Sequence, residues 1–236
     1  MPKKILVAVS SFEKYPNLPR ATGLWLGEAV HFVKKVEAAG YTVDFVSPRG
    51  GYTPIDPHSL AMAEPVDWEW YLDKAFMNRL GNTLRPDQVR AEDYVAIYFA
   101  GGHGVVWDFP DDAGLQALSR DIYEAGGYVS SVCHGAVALL NIRLSNGELL
   151  IQGKELTGFT NEEEKLAGLD ALEVRVALAG RRGLSAEAQA KLASLQRQVG
   201  AEPRVPTVDE IAALVLDVEA RIKDDPSGAR EALRQL

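Results

Sequence analysis

The chain has 236 residues, 47% of them hydrophobic, so it is long enough to bury a full core, and we expect one main domain. A formal net charge of −8 argues against electrostatic binding to nucleic acid or to an anionic membrane. No apolar run approaches the roughly 20 residues that span a bilayer, and residues 1–9 are too short and strand-like for a signal peptide. We therefore expect a cytoplasmic protein whose partner is a small molecule or another protein.

Short apolar runs alternate with a helical pattern in the first part of the chain. Residues 3–10 predict a buried strand, residues 22–39 predict a helix, and residues 41–47 predict a second strand. This β-α-β order indicates a parallel sheet with right-handed crossovers. Residues 48–86, which are rich in Gly, Pro and Asp and then in aromatic residues, are interpreted as a helical insertion or lid outside the sheet.

The next elements place the single cysteine of the chain. Residues 93–100 predict a strand that ends at two glycines, and residues 115–125 predict a helix. Residues 128–132 predict a strand that leads directly into Cys133 and a helical segment over residues 136–140. Ligands of open α/β sheets bind at the carboxyl ends of strands, so Cys133 is expected in a binding crevice.

The segment Ser131-Val132-Cys133-His134-Gly135 has the pattern of a nucleophile elbow, in which a strand, a sharp turn and a helix present one side chain. A lone cysteine is ordinarily a small buried apolar residue, and one cysteine excludes a disulfide within the chain. At an elbow, however, the helix N-terminus stabilises a thiolate, so we expect the pKa of Cys133 to be lowered. His134 can serve as a base or an ion-pair partner if its ring turns toward the thiol.

A second loop that follows a strand carries Gly101-Gly102-His103-Gly104. Consecutive backbone amides in such a loop can face developing negative charge, which makes Gly102, His103 and Gly104 candidates for an oxyanion hole or for substrate binding. No Lys-Ser or Lys-Thr pair follows, so we discount a phosphate-binding P-loop.

Four motifs follow one another along the chain: FAGGHG at residues 99–104, DF at 108–109, VCHG at 132–135, and TGFT at 157–160 with the glutamates that follow. Together they resemble the ThiJ/PfpI superfamily of class I glutamine amidotransferase-like proteins, in its glyoxalase III and heat-shock chaperone branch. The resemblance covers about residues 5–170. It implies a flavodoxin-like α/β sandwich, with a parallel central sheet and helices on both faces, that is usually dimeric and needs no metal or organic cofactor.

The resemblance also implies roles for individual residues. Cys133 becomes the nucleophile, His134 its catalytic partner, and Glu28 the acidic residue that reaches the thiol from the first helix. Without the resemblance, Glu28 would be interpreted as a solvated charge on a helix.

A third member of the catalytic set is expected in the acidic stretch after residue 160. Glu164 matches the residue that orients the histidine in some relatives, and Glu162 and Glu163 are alternatives for that role. A solvated acidic loop is the other interpretation of these three glutamates.

The activity implied is that of a glutathione-independent glyoxalase, a cofactor-free lyase that converts methylglyoxal to D-lactate through a hemithioacetal on Cys133. Alternatives that use the same cysteine are a stress-related holdase chaperone for unfolded proteins, a deglycase acting on glycated proteins, and a redox sensor. An amidase or peptidase is a further alternative. In each case we expect a homodimer.

The sequence departs from the resemblance after residue 170. The final strand of the family, with its Thr-Gly-Gln-Asn-Pro-like segment, has no counterpart here, and residues 171–236 are helical in pattern. We therefore divide the chain into an α/β domain over residues 1–170 and a helical C-terminal segment over residues 171–236. This segment is interpreted as a divergent or replaced C-terminus, such as an added oligomerisation element, or as a junction with unrelated coding sequence.

Overall fold

A computed structural model of the chain describes residues 4–16 and 18–159. Its four strands form one parallel sheet in the order β2-β1-β3-β4, the order of flavodoxin-like folds. The strands are β1 Lys4–Ala8, β2 Thr42–Val46, β3 Tyr94–Phe99 and β4 Tyr128–Ser131. Each lies within two residues of its expected bounds, and the predicted α/β fold with a parallel central sheet is confirmed.

Six α-helices and three 3-10 helices connect the strands in the described ranges. The α-helices are α1 Leu26–Ala38, α2 Pro57–Ala61, α3 Pro65–Leu72, α4 Lys74–Gly81, α5 Val105–Asp108 and α6 Ala113–Glu124. The 3-10 helices are Pro86–Gln88, Ala91–Asp93 and Cys133–Asn141. The insertion expected over residues 48–86 is thus largely helical, although Leu84 also forms a single bridge with Val46 at the edge of β2.

Helix α1 begins later than the sequence predicts. Leu24, which fits the helical spacing, instead pairs with the chain around Ile55: its N–H donates to Pro54 O, and Asp56 N–H donates to its carbonyl. The Ser59 hydroxyl then accepts from the N–H of Leu26 at the first position of the helix. Tertiary hydrogen bonds therefore override the local helical pattern before residue 26.

The two faces of the sheet bury two separate hydrophobic clusters. Leu6 and Phe99 belong to the cluster beneath α6, whereas Val7 and Tyr98 belong to the cluster beneath α1 and α4. This alternation follows from the two-residue period of a strand. Each fully buried Leu or Val contributes roughly 1.5–3 kcal/mol by leaving water.

The second cluster fixes the position of Glu28. Phe32, one turn further along α1, stacks on Tyr98 of β3 with ring centroids 3.7 Å apart and planes inclined by 2°. Residues four apart share one face of a helix, so Glu28 is directed toward the same strand, near its carboxyl end. An acidic side chain of the first helix is thereby brought to the loop that follows β3.

A largely buried carboxylate ties α5 to the end of β1. Asp108 Oδ2 accepts from the Ser10 hydroxyl at 3.0 Å and from Ser11 N–H at 2.7 Å. Burial raises the pKa of Asp108 to about 7, because the hydrogen bonds from Ser11 and Ser10 and the nearby Arg49 offset only part of the desolvation.

We expect Asp108→Asn to change thermal stability in a pH-dependent way. Because the folded pKa lies above the ordinary value of 3.8, the native protein holds a proton that the unfolded chain releases between about pH 4 and pH 7. In the wild type, this group's contribution to the free energy of unfolding is present below pH 4 and is lost by pH 7, with an upper limit of about 4 kcal/mol. Asparagine does not titrate, so the Tm of the variant minus that of the wild type should rise between pH 4.5 and pH 7.5. A difference that stays constant with pH would contradict the assignment.

Several expectations fall on residues that the structure does not describe. These are the domain boundary at residue 170, the helical segment over residues 171–236, and Glu162, Glu163 and Glu164. Across residues 4–16 and 18–159, no helix is both long enough and apolar enough to cross a membrane. The same ranges contain no group of three or more His, Cys, Asp or Glu side chains arranged to hold a metal ion.

Candidate active site

Cys133 lies in a sharp turn directly after β4. Its φ of 52° is the only positive φ of a non-glycine residue in the described part of the chain. Such a backbone is strained for an L-residue and is typical of functional sites held by surrounding structure. Val132 N–H donates to Phe99 O at 3.1 Å, and Gly135 N–H donates back to Val132 O at 2.8 Å, so hydrogen bonds on both sides hold the turn. The elbow that the sequence predicts is present.

Four groups surround the thiol. The Sγ atom of Cys133 lies 3.3 Å from Nδ1 of His134, so the adjacent histidine does turn toward it. The Glu28 carboxylate accepts a hydrogen bond from the thiol. The backbone amides of His134 and Gly102 also hydrogen-bond to the sulfur. The structure therefore brings Cys133, His134, Glu28 and Gly102 together.

Glu28 is a partly buried acid beside the nucleophile. Burial raises its pKa, and hydrogen bonds from Gly101 N–H and the thiol, with the nearby His103, lower it by less. The N–H of Gly101 donates to Glu28 Oε2 at 2.5 Å. A carboxyl with a raised pKa next to a reacting atom is suited to accept and return a proton.

The expectation of a lowered thiol pKa is wrong for this structure. Burial raises the pKa of Cys133, and the negative charge of Glu28 raises it further, while the amides of His134 and Gly102 lower it only in part. Protonation of Glu28 removes the charge that opposes the thiolate. The protonation of Cys133 and that of Glu28 therefore depend on each other. A thiolate forms most readily when the pair shares one proton and Glu28 holds it.

The residues of the glycine loop after β3 make different contacts. Gly102, with a φ of 99°, supplies the amide at the sulfur. The His103 side chain is buried and packs on the His134 ring instead of facing open space. Gly104 precedes α5 and lies so close to Ser10 and Phe12 that a Cβ would come within 2.8 Å of atoms of both. Gly102 therefore directs an amide to the sulfur, whereas the contacts described for His103 and Gly104 lie elsewhere in the protein. The oxyanion role of these three residues stays a prediction.

We expect Gly101→Ala to impair the site. A Cβ at this position would lie 2.7 Å from Glu28 Oε2 and 3.0 Å from the Cβ of Cys133. Relieving these contacts must move the carboxyl or the turn, at a cost of about 1–3 kcal/mol in stability and roughly 10- to 100-fold in turnover. Gly81→Ala at the end of α4 is the matched control, since nothing lies within 4 Å of its added Cβ. Equal turnover in the two variants would show that the close approach is unimportant.

Sequence reasoning missed two aromatic residues of the site. The Tyr98 hydroxyl donates to the backbone carbonyl of Glu28 at 3.2 Å, and burial, with Glu28 and Cys133, raises the pKa of this phenol. The centroid of the Phe159 ring lies 4.4 Å from that of the His134 ring. The backbone N–H of Phe159 donates to Cys133 O at 3.4 Å. The alternation along β3 could have placed Tyr98 on the face of α1, but no sequence signal links residue 159 to residue 134.

Known proteins are similar to this chain in sequence. The glutathione-independent glyoxalase HSP31 of Saccharomyces cerevisiae is 34% identical over 178 residues, which cover 72% of this chain and 74% of that protein. Glyoxalase 3 of Candida albicans is 31% identical, covering 70% of this chain and 72% of its own length.

Solved structures are similar to this chain in fold as well as in sequence. The Rapid Encystment Protein 24 kDa of Francisella tularensis superposes with a TM-score of 0.68 at 35% identity, covering 74% of this chain and 81% of that one. The crystal structure of Candida albicans glyoxalase III gives a TM-score of 0.67 at 28% identity, covering 78% of this chain and 81% of that one. The sequence profile of the DJ-1/PfpI family matches residues 21–199, which is more than half of the chain. The chain belongs to the DJ-1/PfpI family.

Proposed function

We propose that this protein is a glutathione-independent glyoxalase that isomerises and hydrates methylglyoxal to D-lactate. The observation that carries the proposal is the set of groups around one thiol: a carboxyl with a raised pKa, an imidazole nitrogen at 3.3 Å and two backbone amides. Relatives that are 34% and 31% identical to this chain, over 72% and 70% of its length, bear the name of that activity. The substrate class that follows is a small 2-oxoaldehyde.

In the first step, sulfur adds to the aldehyde carbon. The thiol proton passes to His134 Nδ1 or to the Glu28 carboxylate while a carbon–sulfur bond forms and the carbonyl π electrons move to oxygen. The product is a hemithioacetal on Cys133. The amides of Gly102 and His134, which hydrogen-bond to the sulfur, lie next to the new oxyanion and can stabilise it.

In the second step, a proton moves from the former aldehyde carbon to the neighbouring carbon. A base removes the C1 proton, which gives an enediol, and return of a proton to C2 gives the thioester of lactate. C1 is oxidised and C2 is reduced, so the step balances without an external oxidant or cofactor. Glu28 is suited to this role because its raised pKa allows it to accept and then donate a proton near neutral pH.

In the last step, water attacks the thioester carbonyl and passes a proton to His134 or Glu28. The same amides face the tetrahedral oxyanion, and collapse of the intermediate breaks the carbon–sulfur bond and releases lactate. The leaving thiolate recovers a proton from His134 or Glu28, which restores the starting state.

D-lactate formation from methylglyoxal, without added glutathione, tests the proposal directly. The product is measured with a dehydrogenase specific for D-lactate, and racemic product in the assay is excluded with the L-specific enzyme. We expect turnover that ends after the single thiol is alkylated with iodoacetamide. A folded protein that forms no lactate would overturn the proposal and favour a chaperone, deglycase or redox sensor. The homodimer and the cytoplasmic location stay predictions.

A further inference from the structure

The His134 imidazole is packed against two other rings. The His103 ring centroid lies 4.0 Å away with planes inclined by 46°, and the Phe159 centroid lies 4.4 Å away with planes inclined by 32°. The centroids of the His103 and Phe159 rings are 6.3 Å from each other, so these rings contact the imidazole from two directions that are roughly at right angles. These contacts restrict how the imidazole can tilt about the bond to its backbone.

His103 is itself firmly held. Only 5% of its surface is exposed, and its ring packs on Tyr15 at 5.9 Å. Tyr15 in turn packs against Trp107 at 5.1 Å. The backbone of His103 lies between two glycines in close contact with other backbone atoms, since a Cβ at Gly102 would come within 2.2 Å of Gly23 O. The ring at residue 103 therefore occupies a position that its surroundings determine.

We propose that His103 is a positioning residue whose ring, packed on the His134 imidazole, keeps Nδ1 of that histidine on the Cys133 thiol. This rests on the proposed function, in which His134 takes and returns the thiol proton. An imidazole without this support could rotate while still filling its volume, and a shift of about 1 Å between reacting atoms can cost on the order of 100-fold in rate.

The ionisable groups near the two histidines lie on several elements. Glu28 approaches His103 from α1, Cys133 contacts His134 from the turn after β4, and Tyr15 packs on His103 from the loop after β1. Tyr98 of β3 lies near Glu28 and Cys133. A substitution at residue 103 removes a charge near Glu28 as well as a ring. The test must therefore separate the ring from the charge.

Three variants make this separation. His103→Phe keeps a planar ring without a charge, whereas His103→Leu and His103→Gln lack a ring, and Gln retains hydrogen-bonding atoms. We expect Leu and Gln to lower kcat about 10- to 100-fold with KM changed less than about threefold, and Phe to retain most of the wild-type kcat. If the Leu variant does not fold, the Gln variant takes its place. Trp68→Leu, which removes a part-exposed ring that packs on Tyr71 within α3, is the control and should have little effect.

Alkylation of Cys133 provides a readout that does not depend on glyoxalase activity. Because the chain has one cysteine, the rate of iodoacetamide labelling between pH 6 and pH 9 reports on this thiol alone. In the Leu and Gln variants we expect the part of the pH profile that depends on His134 to be lost, and in the Phe variant to be kept. A wild-type profile in Leu and Gln, or an active Gln variant beside an inactive Phe variant, would overturn the proposal. If the wild type forms no lactate, the labelling profiles still decide it.

Discussion

Replacement of Cys133 by serine should abolish lactate formation from methylglyoxal. A serine hydroxyl is a far weaker nucleophile at neutral pH, and no second thiol exists in the chain to replace it. We expect kcat to fall by at least about 1,000-fold, as for the loss of the nucleophile in other covalent enzymes. The assay is the D-lactate measurement at saturating methylglyoxal, with alanine as a second substitution.

Loss of folding must be excluded before this result is interpreted. Cys133 occupies a positive φ, which serine and alanine tolerate about as poorly as cysteine does, so the backbone strain is matched between wild type and variants. Thermal unfolding of each variant should then lie close to that of the wild type. Undiminished lactate production by a folded Cys133→Ser protein would refute the covalent mechanism.

Replacement of Glu28 by glutamine should move activity and thiol reactivity in opposite directions. Glutamine can still accept from Gly101 N–H, but it cannot carry a proton between carbon atoms, so we expect kcat to fall roughly 100- to 10,000-fold. The charge of Glu28 raises the pKa of Cys133, and its removal lowers that pKa. Alkylation by iodoacetamide should therefore begin at lower pH in the variant than in the wild type.

Glu37→Gln is the matched control for this experiment. Glu37 lies on the same helix and pairs with Arg79 at 2.9 Å, on the surface and away from the thiol. We expect this variant to keep both the turnover and the labelling profile of the wild type. If Glu28→Gln leaves the onset of alkylation in place or moves it to higher pH, the assigned coupling between carboxyl and thiol is incorrect.

The strands were predictable because buried parallel strands appear in a sequence as short apolar runs. Runs of apolar and β-branched residues such as Ile5-Leu6-Val7 have few other interpretations between helical patterns. The start of α1 was not predictable, because Leu24 has the right spacing for a helix and is withdrawn from it only by hydrogen bonds to Pro54 and Asp56. Those partners are about 30 residues away along the chain, where no local pattern can indicate them.

The site was predictable to the extent that it lies in local motifs. The elbow at Cys133 and the loop at Gly102 follow from strands that end in turns. The resemblance placed Glu28 at the thiol, but the direction of the thiol pKa was not predictable from local motifs, because it depends mainly on how far the folded protein buries the sulfur. The packing of His103 on His134 likewise depends on two loops that become neighbours only in the folded sheet.

The raised pKa of the single cysteine has a consequence for folding studies. The thiol is protected by contacts with Glu28 and Gly102, which come from α1 and the loop after β3, so its environment exists only when distant parts of the chain have assembled. In the unfolded chain the same thiol regains an ordinary pKa and full access to solvent. Pulse labelling of Cys133 during refolding would therefore report when α1 and the loop after β3 assemble around the thiol, without any introduced probe.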